Sequence, residues 1–129
     1  MKEARVVMLL RQMLETKFRC LTEKLHGSVF QEGLPDLLVV TPTGDYIFIE
    51  LKAGGCHDGV GAVEKLQGRQ KLVCCRFGMR GARMYIVGAS DDTSWWLFDC
   101  RQLRDRAPEE YMLEKFSSTE QVANSIVGE

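Results

Sequence analysis

The chain has no CxxC pair, no long apolar run and no excess of either charge. Its five cysteines, Cys20, Cys56, Cys74, Cys75 and Cys100, are odd in number and have no histidine-rich spacing around them, which argues against a zinc site or a disulfide framework. Reduced thiols in a cytosol fit that pattern better. The longest apolar run near the start, Val6 to Leu10, is too short for the core of a secretory signal and is followed at once by Arg11. No stretch is long enough to span a bilayer, so no membrane partner is expected. A formal net charge of −1 excludes a globally basic nucleic-acid binder but leaves room for a local basic face. Internal repeats and low-complexity tracts are also missing.

What remains is a 129-residue chain that is 45% hydrophobic, the size of one domain with one core. From Glu3 to about Leu25, apolar residues from Val6 through Leu10, Leu14, Phe18 and Leu21 recur at steps of three and four, which predicts an amphipathic helix. Strands are predicted at about 36–41 and 46–52, followed by a glycine-rich loop, "AGGCHDGVGA", read as mobile. A second helix is expected over about Val63 to Met79, burying Leu66, Leu72, Val73 and Phe77 or their neighbours. "ARMYIVGA" and "WWLFD" read as two more strands. The tail from about Pro108 reads as helical, with Ser117 and Glu120 spaced as a capping box before a last helix at 118–127. The order predicts an α/β fold, a mixed sheet flanked by helices.

The stretch "GLPDLLVVTPTGDYIFIELK" carries the chemistry. "TPTGD" suits a three-residue loop closing Thr41 against Asp45. Residues opposed across such a hairpin have numbers that add to 86, as Asp36 and Glu50 do. The turn alone therefore sets these carboxylates opposite one another, with Lys52 on the same face. Opposed like charges destabilise a strand pair, so a compensating cation is expected. Mg²⁺ takes one or two carboxylates together with water and phosphate oxygens, and a lysine beside it can orient the attacking water or steady a phosphate. Between residues 64 and 83, Lys65, Arg69, Lys71, Arg76, Arg80 and Arg83 face only Glu64, a distribution suited to phosphates. His26 and His57 read as loop residues, and Trp95 and Trp96 as base-stacking, core or interface aromatics.

On "GLPDLLVV", "YIFIELKAGG" and "QGRQKLVCCRFGMRGARMYIV", roughly residues 3–88, the chain resembles the PD-(D/E)xK nuclease superfamily and, within it, the virus-type replication-repair nuclease (VRR-NUC) domain. The resemblance implies an αββαβ restriction-endonuclease-like core, within one nuclease domain over 1–129 whose core runs about 3–98 and whose helical tail runs about 99–129. It implies that Asp36 and Glu50 bind Mg²⁺ or Mn²⁺ with the carbonyl of Leu51, and that Lys52 acts at the water or phosphate. Stand-alone members look like homodimeric Holliday-junction resolvases. The implied activity is therefore hydrolysis of branched DNA by a homodimer in the cytoplasm of a bacterial cell or phage-infected host. The family's first-helix glutamate maps to Glu3 or Glu15; Glu3 lies about 20° from Leu10 around the helix and Glu15 about 140°, which favours Glu3. Its glutamine maps to Gln70 or Gln67, with Gln70 favoured, although the loop after Lys52 is longer than in typical members.

Overall fold

The structure, a computed structural model, describes residues 1–25 and 33–128. It is an α/β fold built on a six-stranded mixed sheet, as the element order predicts. The elements are α1 (Glu3–Thr16), β1 (Leu21–Lys24), β2 (Leu37–Val40), β3 (Tyr46–Ala53), α2 (Gly59–Glu64), α3 (Arg69–Met79), β4 (Met84–Asp91), β5 (Ser94–Asp99), α4 (Gln102–Asp105), β6 (Glu114–Phe116) and α5 (Thr119–Val127). Strands stand in chain order across the sheet, and every neighbouring pair is antiparallel except β3 and β4. That parallel pair needs a crossover, which α2 and α3 supply.

Alternation along the strands divides the core in two. Ile47, Ile49 and Leu51 of β3, with Tyr85, Val87, Trp95 and Leu97, face α1 and α5. Met84, Ile86, Trp96 and Phe98 face α2 and α3 on the other side, together with Phe48. Glu50 and Lys52 follow Phe48 on that second face because side chains repeat with period two.

The first helix is shorter than its apolar spacing suggests. Val6, Leu10 and Leu14 are fully buried, but the helix stops at Thr16, whose hydroxyl donates to the Gln12 carbonyl at 2.7 Å. Arg19 then takes a positive φ of 57°, turning the chain back into β1. Leu21, in step with the helical pattern, is 71% exposed on this edge strand. The expected second helix divides into α2 and α3, because Gly68 takes a φ of 53° between them. Leu66 is buried as expected and Val73 and Phe77 are half-buried, but Leu72 is 44% exposed; Cys74 and Gly78 fill the inner face instead.

The glycine-rich stretch is partly ordered as α2, which Asp58 caps by accepting from the Gly61 amide at 2.7 Å. Trp95, Trp96, Leu97 and Phe98 are all core residues. The tail is less helical than expected: a short 3-10 turn at Pro108–Glu110 leads to β6. Helix α5 forms where predicted, but its cap is Ser118, which accepts from the Gln121 amide at 3.2 Å. Gln121 returns the contact to Ser117, while Glu120 pairs with Lys17.

Gly78 marks the closest approach of α3 to the strand layer. A Cβ there would stand 2.1 Å from the carbonyl oxygen of Cys100. Alanine ordinarily stabilises a helix interior by about 1 kcal/mol over glycine. Here the sign should reverse, with Gly78→Ala costing about 1–3 kcal/mol through overpacking, read as a lower denaturant midpoint.

Candidate metal and catalytic site

The hairpin register is the one its turn dictates. Leu37 pairs with Ile49 and Val40 with Tyr46, while the loop closes through Thr41 N–H to Asp45 O and Gly44 N–H to Thr41 O, both 2.9 Å. Asp36 lies one residue before the first paired residue of β2. Its Oδ2 accepts from the Leu51 amide at 2.7 Å, and its carbonyl accepts from the Leu25 amide at 2.8 Å. The carboxylate is thereby tied to the strand that carries Glu50. Because the N–H and C=O of one strand residue leave on the same side, the Leu51 carbonyl faces that same edge.

Glu50 is 1% exposed, and neither of its carboxylate oxygens receives a hydrogen bond from a donor among the described residues; the polar group beside it is the Asp36 carboxylate, to which it can donate only when it carries a proton. Burial first, then a hydrogen bond shared with the Asp36 carboxylate and the charge of that carboxylate, push its pKa up to about 10 against the opposing pull of Lys52. Lys52 Nζ donates to Gln70 Oε1 at 2.8 Å, which fixes the ammonium at the head of α3. Glu3 enters from α1. Its pKa is raised by partial burial and by Asp36 and lowered by Lys52, and it lines with Lys52, Gln67 and Gln70 an open cleft of about 680 Å³.

Asp36, Glu50, Lys52, Glu3 and Gln70 are thus brought to one place. Glu15 is not: it hydrogen-bonds Thr22 and pairs with Arg11 at the other end of α1. Gln67 lines the cleft without holding Lys52 in the way that Gln70 does. His57 is exposed in the loop after β3, and His26 lies outside the described residues.

The basic residues separate by position. Arg69, Arg76 and Arg80 are exposed and fall within about 40° of one another around α3, whereas Lys71 stands about 160° from Arg69. Lys65 lies over the loop that follows Lys52, its Nζ 4.0 Å from where a Gly54 Cβ would be. Arg83 belongs to the scaffold: it donates to the Ile126 carbonyl at 2.6 Å and pairs with Asp45.

Two supporting contacts escape sequence reasoning. Gly33, at φ 88°, leaves no room for a Cβ, which would meet Arg69 Cβ at 2.5 Å; the turn before Pro35 therefore seats directly on the first turn of α3. Trp96 lies over Gly88 and donates from Nε1 to the Gly54 carbonyl at 2.9 Å, holding the chain just past Lys52. The glycines were the only visible signal, and a glycine alone does not name its neighbour.

Two carboxylates and a backbone carbonyl are oxygen donors suited to Mg²⁺ or Mn²⁺, which complete their shells with water and phosphate oxygens. Among the described residues no group of three or more His, Cys, Asp or Glu is arranged for a metal, so a cage made only of side chains is not on offer. A buried carboxyl group in contact with a second, half-buried one, with no donor among the described residues on the Glu50 oxygens, fits a hard cation. No protein-family model matches the chain, and no curated protein matches its sequence. No helix among the described residues is long and apolar enough to cross a membrane.

The Glu50 shift has a consequence for stability. Between its unfolded value of 4.5 and about 10, the folded protein keeps a proton that the unfolded chain releases. In chelator, stability should therefore fall as pH rises through that window, by at most about 1.4 kcal/mol per pH unit from this group. Urea midpoints at pH 6 and pH 8 check this: Glu50→Gln should show a smaller drop than the wild type, and added Mg²⁺ should stabilise the wild type more at pH 8.

Proposed function

We propose that the chain is a metal-dependent, structure-selective DNA endonuclease of the PD-(D/E)xK superfamily, of the VRR-NUC kind, cutting branched DNA such as four-way junctions. The observation that carries this reading is the buried Glu50 carboxyl set against the Asp36 carboxylate with no donor among the described residues on its oxygens, and Lys52 held by Gln70 in the same cleft. Asp36, Glu50 and the Leu51 carbonyl would hold Mg²⁺ or Mn²⁺, which supplies charge neutralisation at the phosphate and lowers the pKa of water.

The chain's own residues account for the rest. Gln70 Oε1 accepts a hydrogen bond from one N–H of the Lys52 ammonium and leaves the others free to donate to the attacking water or to a non-bridging phosphate oxygen. Water attack on phosphorus forms one P–O bond and breaks another, and the departing oxygen takes up a proton. Glu3, whose pKa burial and Asp36 raise, lines the same cleft, where its carboxylate can take up the proton that the attacking water loses. Arg69, Arg76 and Arg80 receive the backbone of the strand along α3, with Lys65 at its margin; Lys71, on the opposite side of the helix, stands off this path.

A nuclease on flapped, nicked or linear DNA is the second reading, favoured by the single site per chain. A catalytically silent nucleic-acid-binding module is the third. Purified protein incubated with four-way, flapped and linear DNA, with Mg²⁺, Mn²⁺ or EDTA, distinguishes them. Asp36→Asn and Glu50→Gln should abolish cleavage and retain DNA binding, because neither removes a basic contact. Lys52→Ala should reduce the cleavage rate by about 10²-fold or more. Binding without metal-dependent cleavage of any substrate would leave the silent module.

Matched cuts in two strands of a junction call for two sites, so the proposal extends to a two-fold homodimer. The aromatics of β5 are consumed by the core, which leaves exposed groups such as Met112 to serve an interface. Light scattering at micromolar concentration should report about twice the 14.6 kDa chain mass. A monomer with junction DNA bound would instead favour the flap or nick nuclease.

A further inference from the structure

A second, more apolar pocket of about 780 Å³ opens beside the far end of α3. Phe48, Phe77, Met79 and Ala82 contribute its apolar lining, and Arg76 and Arg80 stand at it as well. Phe48 and Phe77 meet edge to face with ring centroids 5.2 Å apart. Neither Arg76 nor Arg80 makes a side-chain hydrogen bond or ion pair with any described residue. Met79 is 54% exposed on the same turn of the helix.

The position of this pocket relative to the carboxylates is set by one strand. Phe48 precedes Glu50 by two residues on the same face of β3, about 7 Å along it. The helix makes the same connection: Gln70, which holds Lys52, lies about 15 Å from Arg80 along α3. A nucleic-acid strand lying along Arg69, Arg76 and Arg80 would pass both places.

We propose that this pocket receives the base of an unpaired nucleotide next to the cleavage site, with Arg76 and Arg80 on the flanking phosphates. The inference rests on the nuclease reading and gives it a source of structure selectivity. A paired base is stacked within its duplex and cannot enter a side pocket, whereas a flap base is free to do so and a base pair at a branch point, stacked on one side only, opens more readily than one inside a duplex. Apolar and aromatic walls accept any base, since every base presents a π face, so selection is for unpaired structure and not for sequence. The unpaired arginines decide between this occupant and a second copy of the chain. A two-fold contact centred on the pocket would set Arg76 and Arg80 against their own counterparts, while phosphates neutralise them.

The test uses the full chain in EDTA, so that no cleavage intrudes. A DNA flap carrying 2-aminopurine at its first unpaired position, and a fully paired duplex of the same length with the same label, report binding and the surroundings of the base. The flap should bind about tenfold or more tightly than the duplex, and its fluorescence should change on binding in a way the duplex's does not. Ala82→Leu fills the pocket and should erase both differences while leaving duplex affinity unchanged. Met79→Ala, at an exposed position, should weaken flap binding in the same direction. Arg76→Ala with Arg80→Ala should weaken both substrates and flatten the salt dependence by about two counterions.

Equal affinity of the wild type for flap and duplex with no fluorescence change, or an Ala82→Leu variant that folds and keeps the flap preference, overturns the proposal. So does an Ala82→Leu variant that changes only the oligomeric mass, which would make the patch a subunit contact. The two readings fail separately. Metal-dependent cleavage with no base response removes the pocket and keeps the nuclease, and a base response with no cleavage under any metal does the reverse.

Discussion

The turn over Pro42 to Gly44 fixes the pairing of β2 with β3, and the place of every charged group in the cleft follows from that pairing. Side chains alternate along a strand, so one residue of slippage would send Glu50 into the layer beneath α1 and bring Leu51 out in its place. The hydrophobic pattern opposes such slippage, because Leu37, Val39, Ile47, Ile49 and Leu51 are all buried on one side in the observed register. Apolar burial on one face of the hairpin thus holds the acids on the other. The chemistry is positioned by residues that take no part in it.

Holding Glu50 buried against a second carboxylate is unfavourable, and the surroundings show how the fold tolerates it. A fully buried ionised carboxylate would be costly, so the group retains its proton until something positive arrives. Lys52 does not cancel that need, because Gln70 draws its ammonium toward α3. The resulting arrangement keeps acid and base near one another without letting them collapse into an ion pair. On the proposed reading, this is the arrangement that an incoming cation and phosphate would meet.

The sequence made much of this legible. The hairpin register followed from five turn residues, since turn chemistry is local. Burial of Val6, Leu10 and Leu14 followed from helical spacing, and the same spacing set Glu3 apart from Glu15. What could not be read were events decided by partners distant in the chain. The pattern ran past Thr16 because Phe18 and Cys20 also pack inward, though from a turn, and nothing in the composition announced that Arg19 would adopt a left-handed backbone. Leu72 looked like a core residue because propensity cannot tell which face of a helix meets the sheet; Gly78 and Cys100 settle that by their close approach. The cap of α5 moved by one residue because Ser117 and Ser118 are both competent, and it is Ser118 whose extended backbone and hydroxyl meet the Gln121 amide.

The pairing of β3 with β4 also has a bearing on the order in which the molecule assembles. Asp36 and the Leu51 amide are joined within a hairpin, a short closed loop that can form alone and quickly. Lys52 meets Gln70 only once the chain has passed through α2, and Trp96 reaches Gly54 from 42 residues away. The two acids therefore come together early in folding, while the lysine clamp and the indole that steadies its strand arrive later. A nascent chain would carry an open pair of carboxylates before it possessed the rest of the cleft, and under the proposed function the capacity to gather a cation would precede the capacity to use one.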